Sequence, residues 1–161
     1  MEFRIKKVKV GNLKIKLLLF EPQHGSNRYD YSNILGYYFR NVHGIILVYD
    51  ISDHYSFENL THYHEMIQVY SGTEVIKILV GNKFDKQDFV VTEEEGHNFA
   101  IDYNYLFYQT SAKNKYNVNE VFDLIVKKML KANIILKENN ENEIITNRDI
   151  KNDNKKKCLI I

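Results

Sequence analysis

Two short polar segments, Asn82–Asp85 and Ser111–Lys113, carry the side chains of this sequence that are best suited to bind a small polar ligand. Asn82–Asp85 directly follows the mostly apolar run Val75–Gly81, and Ser111–Lys113 begins three positions after the end of the apolar run Leu106–Tyr108. Such runs are typical of strands that are buried on both faces of a parallel sheet. Ligands of these sheets bind at the carboxyl ends of the strands, so we expect the two segments to lie side by side at a binding edge.

The side chains in these segments suit a guanine base. The carboxylate of Asp85 can accept two parallel hydrogen bonds from the N1–H and the exocyclic amine of guanine, whereas adenine has an acceptor at N1 and would leave the charge unpaired. A site of this kind discriminates by ~10⁴-fold or more. In the same arrangement Asn82 can reach N7, the stem of Lys83 can lie on the base, and the Ala112 amide can meet O6. The alternative interpretation is that Asn82 and Asp85 only end a strand and open a turn.

The elements that must position these segments begin with a β-hairpin. Four apolar residues within Phe3–Val10, at positions 3, 5, 8 and 10, lead to a Gly-Asn turn, and the return over Leu13–Phe20 alternates apolar residues with lysines before it ends in Leu-Leu-Phe. This combination is a strong short-range hairpin signal. The polar stretch Glu21–Asn27 follows, holds the one proline of the sequence, and predicts a loop.

The remainder of the chain predicts three strands that alternate with three helices. The predicted elements are a buried strand over Gly44–Asp50, a helix from about Ser56 to Tyr70, a strand over Val75–Gly81, a helix opened by a Thr92–Glu95 capping box and ending near Asp102, a strand over Leu106–Tyr108, and a helix opening at Asn117 with Glu120 three residues on. Alternation of this kind indicates an α/β fold, a mostly parallel sheet with helices on both faces.

With these elements in place, the chain resembles the Ras superfamily of small GTPases, and most of all its Rab branch. Asn-Lys-Phe-Asp at 82–85 stands where the family has Asn-Lys-x-Asp, and Thr110–Asn114 matches the family's Ser-Ala-Lys loop. The stretch Tyr38–Asn59 is also close to Rab sequences, and the resemblance extends over about Glu2–Leu136.

The resemblance implies the three-layer fold of P-loop NTPases and small G proteins, GTP or GDP as the ligand together with Mg²⁺, and traffic effectors or regulators as partners in vesicle-mediated transport. It implies these guanine-binding residues: Asn82, Lys83, Asp85, Ser111, Ala112 and Lys113. The alternative function is a membrane-tethered adaptor that binds traffic effectors without a nucleotide cycle.

A phosphate-cradling loop of the form Gly-x-x-x-x-Gly-Lys-Ser/Thr needs two glycines five positions apart. The sequence has seven glycines, and its closest pair, Gly36 and Gly44, is eight positions apart. We therefore expect neither the lysine that contacts the β- and γ-phosphates nor the hydroxyl that holds magnesium. Glu2–Lys6 resembles the family's strand just after its first switch, so the switch threonine is also expected to be missing.

The second switch of the family, Asp-Thr-Ala-Gly-Gln, is altered as well. Glu21–Ser26 occupies its place, and Glu21 is a longer replacement for the aspartate. Neither Ser26 nor Asn27 replaces the glutamine that orients the attacking water, and His24 is interpreted as an exposed loop histidine. We therefore predict no catalytic residue, and we do not expect this polypeptide alone to hydrolyse GTP.

In the family's sheet, the strand that feeds the phosphate loop lies between the strands predicted here over Lys14–Phe20 and Gly44–Asp50. A chain without the first strand and first helix is expected to leave two apolar strands with unpaired edges, which invite aggregation, or to force an unusual pairing. Two accounts follow: a shortened product or gene model of a complete GTPase, which we favour, or a degenerate relative whose remaining strands have repacked.

The last part of the sequence predicts a membrane anchor. Beyond about Lys137 the composition turns polar, which predicts a flexible hypervariable tail over 138–161 after a GTPase-like domain over 1–137. Lys155–Lys157 precede Cys158-Leu-Ile-Ile, the Cys-aliphatic-aliphatic-X form that prenyltransferases recognise. Lipid on Cys158 and the adjacent lysines would together supply two membrane signals. This predicts the cytoplasmic face of an internal or plasma membrane, with a cytosolic form when extracted; a chance cysteine in a lysine-rich tail is the alternative.

Composition excludes several other classes of protein. A length of 161 residues with 44% hydrophobic residues suits one globular domain, and a net charge of +1 gives no field that favours nucleic acid. One cysteine excludes a disulfide framework within the chain. The six histidines show no metal-ligand spacing, so no metal ligand is predicted.

Overall fold

The computed structural model describes residues 3–21, 36, 39–40, 42–132 and 157–160. These residues form a six-stranded sheet of order β1-β2-β6-β3-β4-β5 in which β1 and β2 are antiparallel and every other neighbouring pair is parallel. The strands are β1 (Phe3–Val10), β2 (Leu13–Phe20), β3 (Val42–Asp50), β4 (Ile76–Asn82), β5 (Leu106–Gln109) and β6 (Lys157–Ile160). The predicted α/β class and the N-terminal hairpin are confirmed.

Four helices accompany the sheet in the described ranges. They are α1 (His54–Glu58), α2 (Leu60–Tyr70), α3 (Glu93–Asp102) and α4 (Val118–Lys131). The single helix predicted from about Ser56 to Tyr70 is divided at Asn59, whose side-chain amide donates to the Tyr55 carbonyl at 2.7 Å. A side chain that bonds its own preceding turn in this way competes with the regular helical ladder.

The two predicted helix starts have different outcomes. The capping box at α3 is confirmed, because the Glu95 amide donates to Thr92 Oγ1 at 3.2 Å and the Thr92 amide donates to Glu95 Oε2 at 2.8 Å. Asn117 does precede α4, but it adopts φ 54° and makes no side-chain cap. Its amide nitrogen instead donates to the Gln109 carbonyl at 3.0 Å and so ties the start of α4 to the end of β5.

Helices pack on both faces of the sheet, and most residues of β3 and β4 are buried. One face packs against α4, with a core of Val8, Leu17, Ile46, Ile78, Val80, Val121, Ile125, Val126 and Met129. The opposite face packs against α2 and α3 through two clusters, whose members include Leu47, Leu60, Leu79 and Phe99 in one, and Phe20, Phe39, Val42, Ile45, Met66 and Ile67 in the other. Phe39 is fully buried.

The C-terminal strand corrects one expectation and decides between two alternatives. Lys157–Ile160, which the sequence places in a flexible tail, forms β6 and pairs in parallel with both β2 and β3. For β2 and β3 the sequence leaves two outcomes open, unpaired edges or an unusual pairing, and the structure has the second: both strands pair with β6, at the position where the family resemblance puts the phosphate-loop strand. The physical reason is that the backbone N–H and C=O groups of Lys157–Ile160 can form hydrogen bonds with the backbones of both β2 and β3.

Some predictions fall outside the described residues. They concern the altered second switch from Pro22 to Asn27, His24 within it, the lysines at 155 and 156, and the tail over 138–156. Glu21 is described and is exposed. No helix in the described part of the chain is both long and apolar enough to cross a bilayer.

The close contact of α3 with the sheet depends on Gly96. A Cβ at this position would lie 2.8 Å from two ring atoms of Phe107 and would overlap the Tyr49 hydroxyl. We predict that Gly96→Ala lowers the free energy of unfolding by about 1–3 kcal/mol, because a rigid ring has to move. Gly72→Ala is the matched control: a Cβ there meets nothing within 4 Å, so the change should stay within about 0.5 kcal/mol. Denaturant unfolding measures both, and equal midpoints for the two variants would contradict the tight packing.

Candidate functional site

Three strand ends converge at one edge of the sheet. Asp50 at the end of β3 is in register with Asn82 at the end of β4, and Gly81 is in register with Gln109 at the end of β5. The pairing continues one residue further, because the Thr110 amide donates to the Gly81 carbonyl at 2.8 Å. The side chains that leave these strands therefore start from neighbouring points.

The two segments predicted to form a site are joined by hydrogen bonds. Asn82 Oδ1 accepts from the Ala112 amide at 3.1 Å and from Thr110 Oγ1 at 3.2 Å. The Phe84 amide donates to the Thr110 carbonyl at 3.0 Å, so the two backbones are also linked. The structure thus brings the Asn82–Asp85 and Ser111–Lys113 segments into direct contact.

The carboxylate of Asp85 lies in the gap between the two segments. Its Oδ1 accepts from Ser111 Oγ at 2.5 Å, and its Oδ2 lies 3.7 Å from Lys113 Nζ. The Asp85 side chain is 12% exposed and that of Lys113 is 81% exposed, so water screens the ion pair and the serine is the firmer partner. The bond from Ser111 lowers the pKa of Asp85 below its ordinary value, with a smaller contribution from the Lys113 charge. Asp85 is therefore ionised at neutral pH.

Lys83 has an unusual backbone and a fixed ammonium group. Its φ is 69°, in the left-handed region that costs a side-chain-bearing residue about 1 kcal/mol or more. Lys83 Nζ lies 2.6 Å from Asp50 Oδ2, and Ser52 donates its amide and hydroxyl to Asp50 Oδ1 at 2.9 and 2.7 Å. Burial alone would raise the pKa of Asp50, but the bonds from Lys83 and Ser52 lower it to about 2. The Lys83–Asp50 ion pair stays charged and fixes the far end of the Lys83 side chain at the end of β3.

A stack of three aromatic rings connects the two segments. Phe84 stacks between Phe89 and Tyr116, with ring centroids 5.6 and 5.5 Å apart and interplanar angles of 20° and 17°. Tyr116 also accepts the Ser111 amide at its carbonyl, at 3.1 Å. Because Phe84 belongs to one segment and Tyr116 follows the other, the stack holds the two segments together.

One expected contact differs. The resemblance places the Ala112 amide at O6 of a guanine, but in the structure this N–H donates to Asn82 Oδ1. The amide can therefore reach O6 only as a shared donor. The lipidation candidate, Cys158, is paired within β6 and lies outside this site.

Several contributing residues were missed by the sequence analysis. Four further residues belong to this hydrogen-bonded edge: Asp50, Ser52, Lys86 and Thr110. Lys86 is joined to it through its Nζ, which donates to Ser52 Oγ at 2.5 Å. A signal for Asp50 existed: it is a charged residue that ends a buried strand at the same edge as Asn82. Across the ranges that the structure covers, no three His, Cys, Asp or Glu side chains are grouped as metal ligands would be.

Comparison with known proteins gives a family. The model of the Ras family matches residues 1–131. The chain is 38% identical over 132 residues to the GTP-binding protein yptV2 of Volvox carteri, which covers 81% of this chain and 59% of that protein. It is 36% identical over 127 residues to the Ras-related protein SEC4 of Saccharomyces cerevisiae, covering 79% of this chain and 58% of that protein.

A human relative gives the same picture. The chain is 34% identical over 131 residues to the Ras-related protein Rab-8B of Homo sapiens, covering 81% of this chain and 62% of that protein. The matched part thus spans about three-fifths of the length of these relatives. The chain belongs to the Ras family of small GTPases, within its Rab branch.

Proposed function

We propose that this chain is a Rab-like protein of vesicle-mediated transport that binds the base of a guanine nucleotide between the Asn82–Asp85 and Ser111–Lys113 segments. The observation that carries the proposal is the position of the Asp85 carboxylate, held by Ser111 in the gap between the two segments. Traffic effectors or regulators are the protein partners that go with this function.

Asp85 retains the capacity that guanine recognition requires. A carboxylate has about four lone-pair sites, and the protein fills one of them firmly, through Ser111. The remaining sites can accept the N1–H and the exocyclic amine of guanine. An adenine in the same place would set its N1 lone pair against the negative charge, and this mismatch supplies the selectivity.

Asn82 is oriented for the opposite edge of the base. Its Oδ1 already accepts from Thr110 and Ala112, so the amide nitrogen is the end that is left to donate. The acceptor of guanine on that side is N7. The Lys83 stem, fixed at its far end by Asp50, supplies an apolar surface on which the base can lie.

We propose that these 161 residues bind the base but do not hydrolyse GTP. The sequence has no Gly-x-x-x-x-Gly-Lys-Ser/Thr motif, so the usual phosphate and magnesium ligands have no counterpart in it. Mg²⁺, which the family implies, finds no cluster of three candidate ligands among the described residues, and we derive no step through it.

Membrane attachment through lipid on Cys158, reinforced by Lys155–Lys157, is part of the same proposal. A single lipid chain binds membranes only marginally, and basic residues near anionic lipid add about 1 kcal/mol each. The proposal rests on the sequence of this segment alone.

Calorimetry with guanosine, GDP, GTP and adenosine tests base recognition. We predict that the full chain binds the three guanine ligands with similar affinities, because only the base is recognised, and that adenosine binds at least about 100-fold more weakly. Equal binding of adenosine and guanosine, or no binding of any of the four, would contradict the proposal, and the second result would favour an adaptor without a nucleotide cycle.

Asp85→Asn tests the residue that sets specificity. An amide donates where guanine also donates, so we predict that guanosine binding weakens by about 100-fold, on the order of 3 kcal/mol. Xanthosine has a carbonyl in place of the amine, so its binding relative to guanosine should rise. Asp88→Asn is the matched control, because it removes the same charge from an exposed position in the same loop. If both variants behave alike, Asp85 is not the specificity residue.

The pH dependence of binding tests the role of Ser111. Asp85 accepts both hydrogen bonds only when ionised, and its pKa is held below the ordinary value mainly by Ser111. Binding is therefore present above that pKa and lost as the pH falls through it. We predict that Ser111→Ala moves the acid midpoint of guanosine binding to higher pH, with circular dichroism at each pH as the control for folding. An unchanged midpoint would show that the serine does not control the titration.

A further inference from the structure

The β1–β2 hairpin places four lysines on one face. In the register of the two strands, Lys7 lies opposite Lys16 and Lys9 lies opposite Lys14. Residues two apart in a strand point to the same face, so the two pairs lie next to each other. Directly opposed residues have Cβ atoms about 4.5–5.5 Å apart, and the two pairs are about 7 Å apart along the strands. These four residues form the lysine tetrad.

The lysine tetrad lies on the face of the hairpin that no core cluster occupies. The opposite face packs against α4, because Val8 and Leu17 belong to the core that this helix covers. Three members of the tetrad are exposed and Lys16 is half-buried. Among the residues that the structure describes, no acidic side chain forms an ion pair with any of the four. The tetrad is therefore a concentrated positive charge without a described counter-charge.

The pairing of these lysines with one another is unfavourable for the fold. Like charges that lie directly opposite each other in an antiparallel pair are destabilising. Lysines on β1 have a structural use, because β1 is an edge strand and charged side chains keep such an edge from pairing with another chain. β2 has a neighbour on each side, so Lys14 and Lys16 protect no edge. An anionic partner accounts for both pairs, because it would supply the missing negative charge.

A bilayer that contains anionic lipid is the partner that fits this face best. All four side chains are lysines, whose ammonium groups are compact point charges, whereas two-pronged recognition of a single carboxylate or phosphate favours arginine. A sheet face presents such charges together to a surface. Ile5 continues the same face two residues before Lys7 and is 43% exposed. Basic groups beside an exposed apolar side chain suit the boundary between lipid headgroups and acyl chains.

We propose that the lysine tetrad is a docking surface for an anionic lipid membrane. The inference rests on the proposed function in one respect: membrane attachment through Cys158 is the reason to name a bilayer as the partner and not an acidic polypeptide. The tetrad itself needs neither the lipid on Cys158 nor a nucleotide. Each lysine near an anionic bilayer strengthens binding by about five-fold, so the tetrad adds to the attraction of Lys155–Lys157.

Sedimentation with vesicles tests the tetrad in the full chain without attached lipid. We expect the chain to bind phosphatidylcholine vesicles that contain about 30% phosphatidylserine, and not vesicles of phosphatidylcholine alone. Combining Lys9→Gln with Lys14→Gln should weaken this binding by about 10- to 30-fold. The matched control combines Lys127→Gln with Lys128→Gln, which removes two exposed lysines from α4, on the opposite face. The control should change binding by less than about 3-fold, because exposed charges farther than a Debye length from the bilayer are screened.

Two results of this experiment would overturn the proposal. One is a wild-type chain that does not bind the anionic vesicles. The other is an equal loss of binding in the tetrad variant and the α4 variant, which would show that net charge alone attracts the chain to lipid.

A poly-glutamate peptide tests an acidic polypeptide as the other class of partner. The peptide is added at the same concentration of negative charge as the accessible phosphatidylserine. We expect most of the wild-type chain to remain on the vesicles, because the tetrad faces a surface and not a single strand of carboxylates. Displacement of most of the chain by the peptide would overturn the proposal and assign the tetrad to a protein partner.

Lys14→Glu separates membrane binding from folding. A glutamate opposite Lys9 replaces a like-charged pair with an oppositely charged one, so we expect the denaturant midpoint to rise. Vesicle binding should fall by the same 10- to 30-fold or about that, because the net charge of the tetrad drops by two. Lys127→Glu makes the same charge change on α4 and should keep vesicle binding. A folded Lys14→Glu variant that binds vesicles like the wild type would overturn the proposal. These assays use no nucleotide and no lipidated chain, so their failure is distinct from a failure of guanosine binding.

Discussion

The register of three parallel strands is the constraint on which the site depends. Because β3, β4 and β5 end within one residue of each other, Asp50, Asn82 and Thr110 start from adjacent backbone positions. A shift of one residue in either pairing would turn the following side chains to the opposite face of the sheet. The buried apolar residues of the strands fix the register, so the core and the site are specified by the same pairing.

The carboxylates of Asp50 and Asp85 both have partners within the protein, and Asp85 can still accept hydrogen bonds from a ligand. The hydrogen bond from Ser111 is the largest cause that lowers the pKa of Asp85, and a hydroxyl donor occupies only one of the lone-pair sites of the carboxylate. Asp50 has a different role, because Lys83 and Ser52 together occupy both of its oxygens. That pair compensates for the strained backbone of Lys83, and it places a long apolar stem where a planar ligand would rest.

Local sequence patterns predicted the elements whose interactions join residues close together in the sequence. The hairpin follows from a Gly-Asn turn between alternating residues, and the capping box at Thr92 from a hydroxyl and a carboxylate one helical turn apart. The site segments were found because each follows a mostly apolar run that predicts a strand. Asp50 was missed because its lysine partner, Lys83, is distant in sequence, and the bond from Asn117 to Gln109 was not predicted because it joins the start of α4 to the end of β5.

The C-terminal strand shows why pairing between distant parts of the sequence cannot be predicted from a local pattern. Four residues after a polar stretch predict a tail, since nothing nearby stabilises them as a strand. Their pairing becomes favourable only because β2 and β3 each have an edge to satisfy and lie one strand's width apart on either side of β6. The strands that pair with β6 are far from it in sequence, so no pattern near residues 157–160 indicates the pairing.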